Sequence, residues 1–219
     1  PGHPRTPPGA PGGPGPLRPL ECAGVTDATA PPPQFRRAVA ALLAIRPRPE
    51  LVLSPLDAPP RLAPYTWALE VAADPRNDRR GAGEPSSSSD GLDEPDTSGR
   101  LILLHDPRGQ EGWEGTFRLV CFVQARLEPE QLGDELLPMV AWSWLTEALA
   151  EHGASHTALA GTVTQTSSVR FGDLAGDRRD DDVELRASWT PLGSDFAPHA
   201  EAFCSLVASA AGLPPVGAV

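Results

Sequence analysis

The segment 105–114 brings several reactive side-chain types close together in the sequence. Among its side chains are an imidazole, carboxylates, a guanidinium and an indole, and the five that concern us are His105, Asp106, Glu114, Arg108 and Trp113. An imidazole beside a carboxylate at a strand end could act as a general acid or base. Hairpin tips often combine such residues without catalysing a reaction. We therefore predict these five as binding residues and assign no catalytic residue.

Two clusters have metal-ligand residue types, but their spacing argues against a metal. His152 and His156 are four residues apart, and Gly153 between them interrupts the helix that would align both rings. The aspartates at 180–182 lack the twelve-residue register of a calcium loop and are typical of a solvated turn. Gly109, Gly112 and Gly115 precede a strand, so no helix N-terminus is available for a phosphate. We predict neither a metal nor a cofactor.

Trp142 and Trp144 diverge by about 200° on a helical wheel, so they cannot face the same core. Trp144 is predicted to join Val140, Leu145, Ala148 and Leu149 in the buried stripe of its helix. Trp142 is then covered by another part of this chain or exposed on a partner surface, since indoles are enriched at binding hot spots. We add Trp142 to the candidate binding residues.

A row of hydroxyl side chains alternates with other residues between 161 and 171. Thr162, Thr164, Thr166 and Ser168 share one side of a predicted strand that Arg170 follows. The row could line a polar cavity if the sheet is covered there. Otherwise it is the solvated face of an antiparallel strand.

The elements that position these residues follow from hydrophobic periodicity. Helical spacing appears near 35–42, 128–137, 139–152 and 198–212, and Pro138 either kinks one helix or opens a second. Strands are predicted at 50–53, 65–72, 101–104, 116–127, 161–171 and 183–189. This order predicts an α+β domain, with a mostly antiparallel sheet of five to six strands and three to four helices packed on it.

Composition sets the predicted domain limits. The first 33 residues contain 11 prolines and 6 glycines, so residues 1–30 are predicted to be a disordered arm because they cannot offset the entropy of ordering. A polar segment at 74–98, with four consecutive serines, is predicted to be a disordered acidic insertion. The domain itself is predicted to span 31–215.

Charge and cysteine content restrict the function classes. The net charge of −11 lies mostly in the two predicted loops 74–98 and 173–184, and such acidity disfavours nucleic acid as a partner. The three cysteines have no metal or disulfide spacing. No apolar run approaches the roughly 20 residues that a membrane span requires. We expect a cytoplasmic protein that does not enter membranes.

Six segments resemble the actinobacterial family known as domain of unknown function 3000. They are RLAPY at 61–65, GRLILLHDP at 99–107, GTFRLV at 115–120, SWLT at 143–146, GTVT at 161–164 and RASWTP at 186–191. The resemblance covers about 31–215 and implies no activity, cofactor or catalytic residue. All 18 basic residues are arginine, which fits the GC-rich genome of an actinobacterium.

These observations favour a non-enzymatic binding or scaffold domain. Its partner is an unidentified protein or a second copy of the same chain. The alternative is a small-molecule enzyme that uses the 105–114 tip. A closed pocket containing His105 and Glu114 would favour the enzyme, and a flat surface there would favour the binding domain.

Overall fold

Six antiparallel strands form the base of the domain in the computed structural model, which describes residues 30–73, 95–127, 133–172 and 180–215. The strands are β1 (Leu51–Leu56), β2 (Tyr65–Ala73), β3 (Thr97–His105), β4 (Phe117–Arg126), β5 (His156–Ser168) and β6 (Asp180–Pro191). Their spatial order is β1-β2-β3-β4-β6-β5. Strand β6 therefore lies between β4 and β5, and β1 and β5 form the two edges.

Three helices complete the described fold: α1 (Pro33–Leu43), α2 (Leu137–Glu151) and α3 (Ala197–Ala210). Each has a proline at its N-terminus, where the first N–H groups have no intrahelical acceptor and proline sacrifices no hydrogen bond. The predicted α+β class and antiparallel sheet are confirmed, with six strands and three helices.

All three helices pack on the same face of the sheet, and α3 lies at the centre of this layer. Phe203 of α3 lies over Gly99 of β3, and Trp142 of α2 lies over Gly161 of β5. The strand register places these two glycines on one face. Helix α3 also contacts both other helices, so the buried core lies between it and the central strands.

Several strand limits differ from the predicted ones. Strand β1 continues to Leu56 through Pro55, because proline is tolerated in an edge strand. Strand β3 begins at Thr97, so residues 97–98 belong to the sheet and not to the predicted insertion at 74–98. Strand β6 includes the aspartates at 180–182, which the sequence suggested as a loop tip.

Strand β5 is shifted toward the N-terminus compared with the predicted 161–171. Its register with β6 is irregular between Thr157 and Ala160, and this break hid its first residues from the period-two pattern. In α2, Pro138 occupies the first turn and residues 133–136 form a turn, so the predicted helix at 128–137 is wrong there. Residues 128–132, the arm before Ala30 and residues 74–94 lie outside the described residues.

Within the described ranges, every helix is too short or too polar to cross a lipid bilayer.

Replacing Gly99 with alanine should destabilise the domain. An added Cβ would lie 2.8 Å from Val207 Cγ2 and 2.9 Å from Phe203 Cζ, and such overpacking costs about 1 to 3 kcal/mol. Urea unfolding measures the effect. Ser98→Ala, on the opposite face of β3, is the control and should change stability by about 0.5 kcal/mol or less. An unchanged unfolding free energy in Gly99→Ala would contradict this packing.

Candidate functional site

His105, the last residue of β3, is fully buried. Its ring packs among three others, with centroids at 4.1 Å for Phe117, 5.9 Å for Tyr65 and 6.1 Å for Phe35. Nδ1 donates to the carbonyl oxygen of Thr116 at 2.8 Å, and Nε2 accepts from Gln34 at 3.3 Å. Because both nitrogens are engaged inside the core, the imidazole cannot reach a substrate in this conformation.

Asp106 and Arg108 close the turn that follows β3. Asp106 is 4% exposed, and its Oδ1 accepts from the backbone N–H of Arg108 at 3.0 Å and lies 3.5 Å from the Arg108 Nε. The backbone hydrogen bond is the main cause of a lowered pKa at Asp106. This carboxyl group therefore stays ionised and serves the turn, so it is poorly suited to act as a general acid.

Trp113 and Glu114 fasten the tip to the sheet. Thr157 of β5 donates to Glu114 Oε2 at 2.6 Å, and Thr190 of β6 donates to the carbonyl oxygen of Trp113. Glu114 is exposed whereas His105 points into the core. The five predicted residues thus share one tip, but the structure does not bring them together around a substrate-sized space.

Trp142 is half-buried, and its indole packs against the core on β5. Its Cζ3 lies 2.7 Å from the position that a Cβ on Gly161 would occupy. The cover of this indole thus comes from another part of the same chain.

A groove of about 460 Å³ lies on the outer side of the helical layer. Its floor is α3, one wall is α2, and the other wall combines residues 45–51 with the segment after α3. The apolar lining includes Ile45, Leu51, Trp144, Ala148, Cys204 and Leu213. A separate concavity of about 380 Å³ lies near residues 146–156, and neither space includes the 105–114 tip.

The stripe on α2 that the sequence assigned to the core is partly open at this groove. Leu145, Ala148 and Leu149 are buried as predicted, but Val140 is 42% exposed and Trp144 is half-buried. The prediction that Val140 belongs to the core is wrong. The helix instead buries Leu137 and Ala141, because its inward face is rotated toward them. Of these two displaced side chains, Trp144 lines the groove.

Arg48 holds one wall of the groove in place. It donates to both carboxylate oxygens of Glu50 at 3.1 Å and to the carbonyl oxygen of Pro214 at 2.8 Å. The Arg48 hydrogen bond is the main cause of a lowered pKa at Glu50. The pair thereby neutralises itself and ties the segment after α3 to the segment before β1.

His152, at the C-terminal end of α2, links this helix to α3. Its Nε2 lies 2.8 Å from Ser205 Oγ, and its Nδ1 lies 3.6 Å from Glu201 Oε2. His156 instead contacts the carbonyl oxygen of Ala154 through Nδ1. The two histidines that the sequence considered as a metal pair therefore have different partners. In the described part of the chain, no three metal-ligating side chains are grouped to hold an ion.

The groove's cysteine is not a nucleophile. Burial is the main cause that raises the pKa of Cys204 to about 12, so its thiol is protonated at neutral pH and inert. Cys121 is buried in the sheet with a pKa of about 12 for the same reason. Ser205 lies within α3, where backbone N–H groups are used by the helix and cannot stabilise an oxyanion.

A family model described as protein of unknown function, DUF3000, matches residues 31–219. The chain belongs to this family. No curated protein and no solved structure matches it. For this DUF3000 domain, the candidate site therefore rests on its own geometry.

Sequence reasoning missed the groove because its walls come from segments that are distant in the sequence, namely residues 45–51, α2 and the segment after α3. Arg46, Glu147 and Glu201 each look like an ordinary solvated side chain in the sequence. One feature of the sequence could have indicated the groove. Helix α2 carries more apolar side chains than the core covers, and Val140 and Trp144 are the two that stay partly exposed.

A second buried histidine gives this DUF3000 domain a measurable pH dependence. His199 is 1% exposed, and its Nδ1 accepts from the indole of Trp189 at 3.1 Å. Burial is the main cause that lowers the pKa of His199 from 6.5 to about 4. The unfolded chain therefore binds a proton between these values while the folded domain does not, so stability decreases as the pH falls from 6.5 to 4.

Replacing His199 with asparagine, which keeps an acceptor for Trp189, should remove this dependence. Between pH 6.5 and pH 4 the wild type should lose roughly 3 kcal/mol more unfolding free energy than the variant. Urea unfolding across this range measures the difference. Ser98→Ala, which changes no titratable group, is the control and should retain the wild-type slope. Equal slopes for the wild type and His199→Asn would refute the assignment.

Proposed function

We propose that this domain is a non-enzymatic binding protein and that the groove between α2 and residues 45–51 is its ligand site. The observation that carries the proposal is the half-buried Trp144, whose exposed flank adjoins the other apolar residues that line the groove. Burying apolar surface is favourable by about 25 cal/mol per Å², and the exposed part of an indole does not gain this free energy. A ligand that covers Trp144 would recover this energy.

The dimensions and lining of the groove support a small organic ligand. A space of about 460 Å³ falls within the roughly 300 to 1,000 Å³ of small-molecule sites. Such sites combine an apolar surface with a few polar groups that orient the ligand. Here Ala148 and Leu213 belong to the apolar surface, and His152 and Ser205 add polar groups.

Charge complementarity favours a cation. Glu147, Glu151 and Glu201 line the α2 and α3 side of the groove, and Arg46 lies on the other wall. Arg48 does not change this balance, because Glu50 neutralises it. An organic cation with an apolar body could place its charge near the carboxylates and its body against Trp144, whose ring face also attracts cations.

The alternative of an enzyme at the 105–114 tip receives less support. A general acid or base must reach the proton that it transfers, and His105 is fully buried with both ring nitrogens engaged in hydrogen bonds. The geometry of Ser205, His152 and Glu201 is better explained as a link between α2 and α3. The buried thiols of Cys121 and Cys204 are compatible with a reducing cytoplasmic location.

Two probes of nearly equal shape and opposite charge test the ligand class. Tetraphenylphosphonium should bind saturably to the protein in isothermal titration calorimetry, and tetraphenylborate should bind at least about tenfold more weakly. Trp144→Ala should weaken phosphonium binding by about 1 to 2 kcal/mol, through lost apolar and cation–π contact.

The double variant Glu147→Gln, Glu151→Gln should reduce the preference for the cation. Its matched control is Glu70→Gln, which removes a carboxylate from the sheet face opposite the helices. Equal affinity for both probes, or phosphonium binding that Trp144→Ala leaves unchanged, would overturn the proposal.

A further inference from the structure

The two edges of the sheet are protected to very different degrees. Strand β1 has six residues and contains Pro55, and short length and proline both discourage pairing with another strand. Strand β5 has thirteen residues with no Asp, Glu, Lys, Arg or Pro. An uncharged edge of this length offers a row of backbone groups to a further strand.

The C-terminal part of β5 is regular enough to pair with such a strand. From Ala160 to Ser168 its register with β6 has no shift, and every residue there except Val163 is exposed. The irregular pairing lies before this segment, between Thr157 and Ala160, where Ala158 has a φ of 51°. Pairing is therefore easiest over residues 160–168.

We infer that β5 pairs antiparallel with β5 of a second copy, which joins the two sheets edge to edge across a twofold axis at Thr164. This inference is independent of the groove ligand. The axis follows from the regular segment, because Thr164 is the midpoint of residues 160–168. With the axis perpendicular to the sheet, the helices of both copies lie on the same side.

The side chains of β5 are complementary to themselves in this register. Thr164 faces its own counterpart, and Thr162 faces Thr166 of the second copy. Threonine and threonine are a favourable cross-strand pair. The row of hydroxyl side chains then lies at the contact between the two copies. This is a third interpretation of the row, besides the polar cavity and the solvated face that the sequence suggested.

The ends of the strand support the same occupant. Val169, the first residue after β5, is 55% exposed, and it would approach the half-buried Leu159 of the second copy, so two apolar side chains would share cover. Arg170, which follows the strand, is already paired with Asp180 of β6, so this end of the strand presents no unbalanced charge to the second copy. An edge that has no charged side chain and carries a row of threonines is therefore complementary to another copy of itself.

Sedimentation velocity of the full chain over the micromolar range tests the inference, and a reversible dimer is expected. Thr164→Lys should raise the dimer dissociation constant by about tenfold or more, because it places like charges directly opposite each other. Ser54→Lys on β1 is the matched control, since Ser54 faces Glu70 as Thr164 faces Glu184. This control should leave the dissociation constant unchanged.

Cross-linking tests the register. In a Cys22→Ser background, Thr164→Cys should form an intermolecular disulfide under mild oxidation, and Ser54→Cys should not. A wild-type protein that is monomeric at all concentrations overturns the inference. A dimer that Thr164→Lys leaves intact, or that Thr164→Cys fails to cross-link, also overturns it.

Discussion

The fit of α3 against Gly99 is the constraint on which the rest of this domain depends. Because residue 99 has no side chain, Phe203 and Val207 can lie directly on the middle of the sheet. From this position α3 contacts the central strands and both neighbouring helices. The same helix forms the floor of the groove and presents Glu201 and Ser205 to it. Any shift of α3 away from the sheet would therefore change the core and the groove together.

The groove follows from the way α2 and residues 45–51 flank this central helix. His152 joins α2 to α3 at one end, and Arg48 joins the opposite wall to Pro214. The two walls are thus fixed separately, and no described side chain fills the space between them. Helix α2 turns Leu137 and Ala141 inward, and Trp144 is left half-buried at the opening of the groove. A preformed apolar surface of this kind allows a ligand to bind without a large ordering cost.

The sequence was sufficient for the fold class but not for the site. Alternation in β4 and β6 predicted strands of the antiparallel sheet, because each of these two strands is buried mainly on one face. The limits of β5 were misplaced because its irregular pairing near Ala160 breaks that alternation. The residues around His105 were predicted to form a binding site from their side-chain types alone. Burial determines whether such side chains can contact a ligand, and His105 is fully buried. Arg46, Glu147 and Glu201 line the same groove only because of tertiary packing, which no local sequence pattern can predict.

Hydrogen exchange of the backbone with and without tetraphenylphosphonium tests the central claim most directly, because it maps the ligand without any substitution. If the groove is the binding site, added protection will appear in residues 45–51, at the C-terminal half of α2 and in α3 with the segment that follows it. The 105–116 tip will exchange at the same rate in both samples. Protection that centres on the tip and leaves the groove segments unchanged would contradict the account.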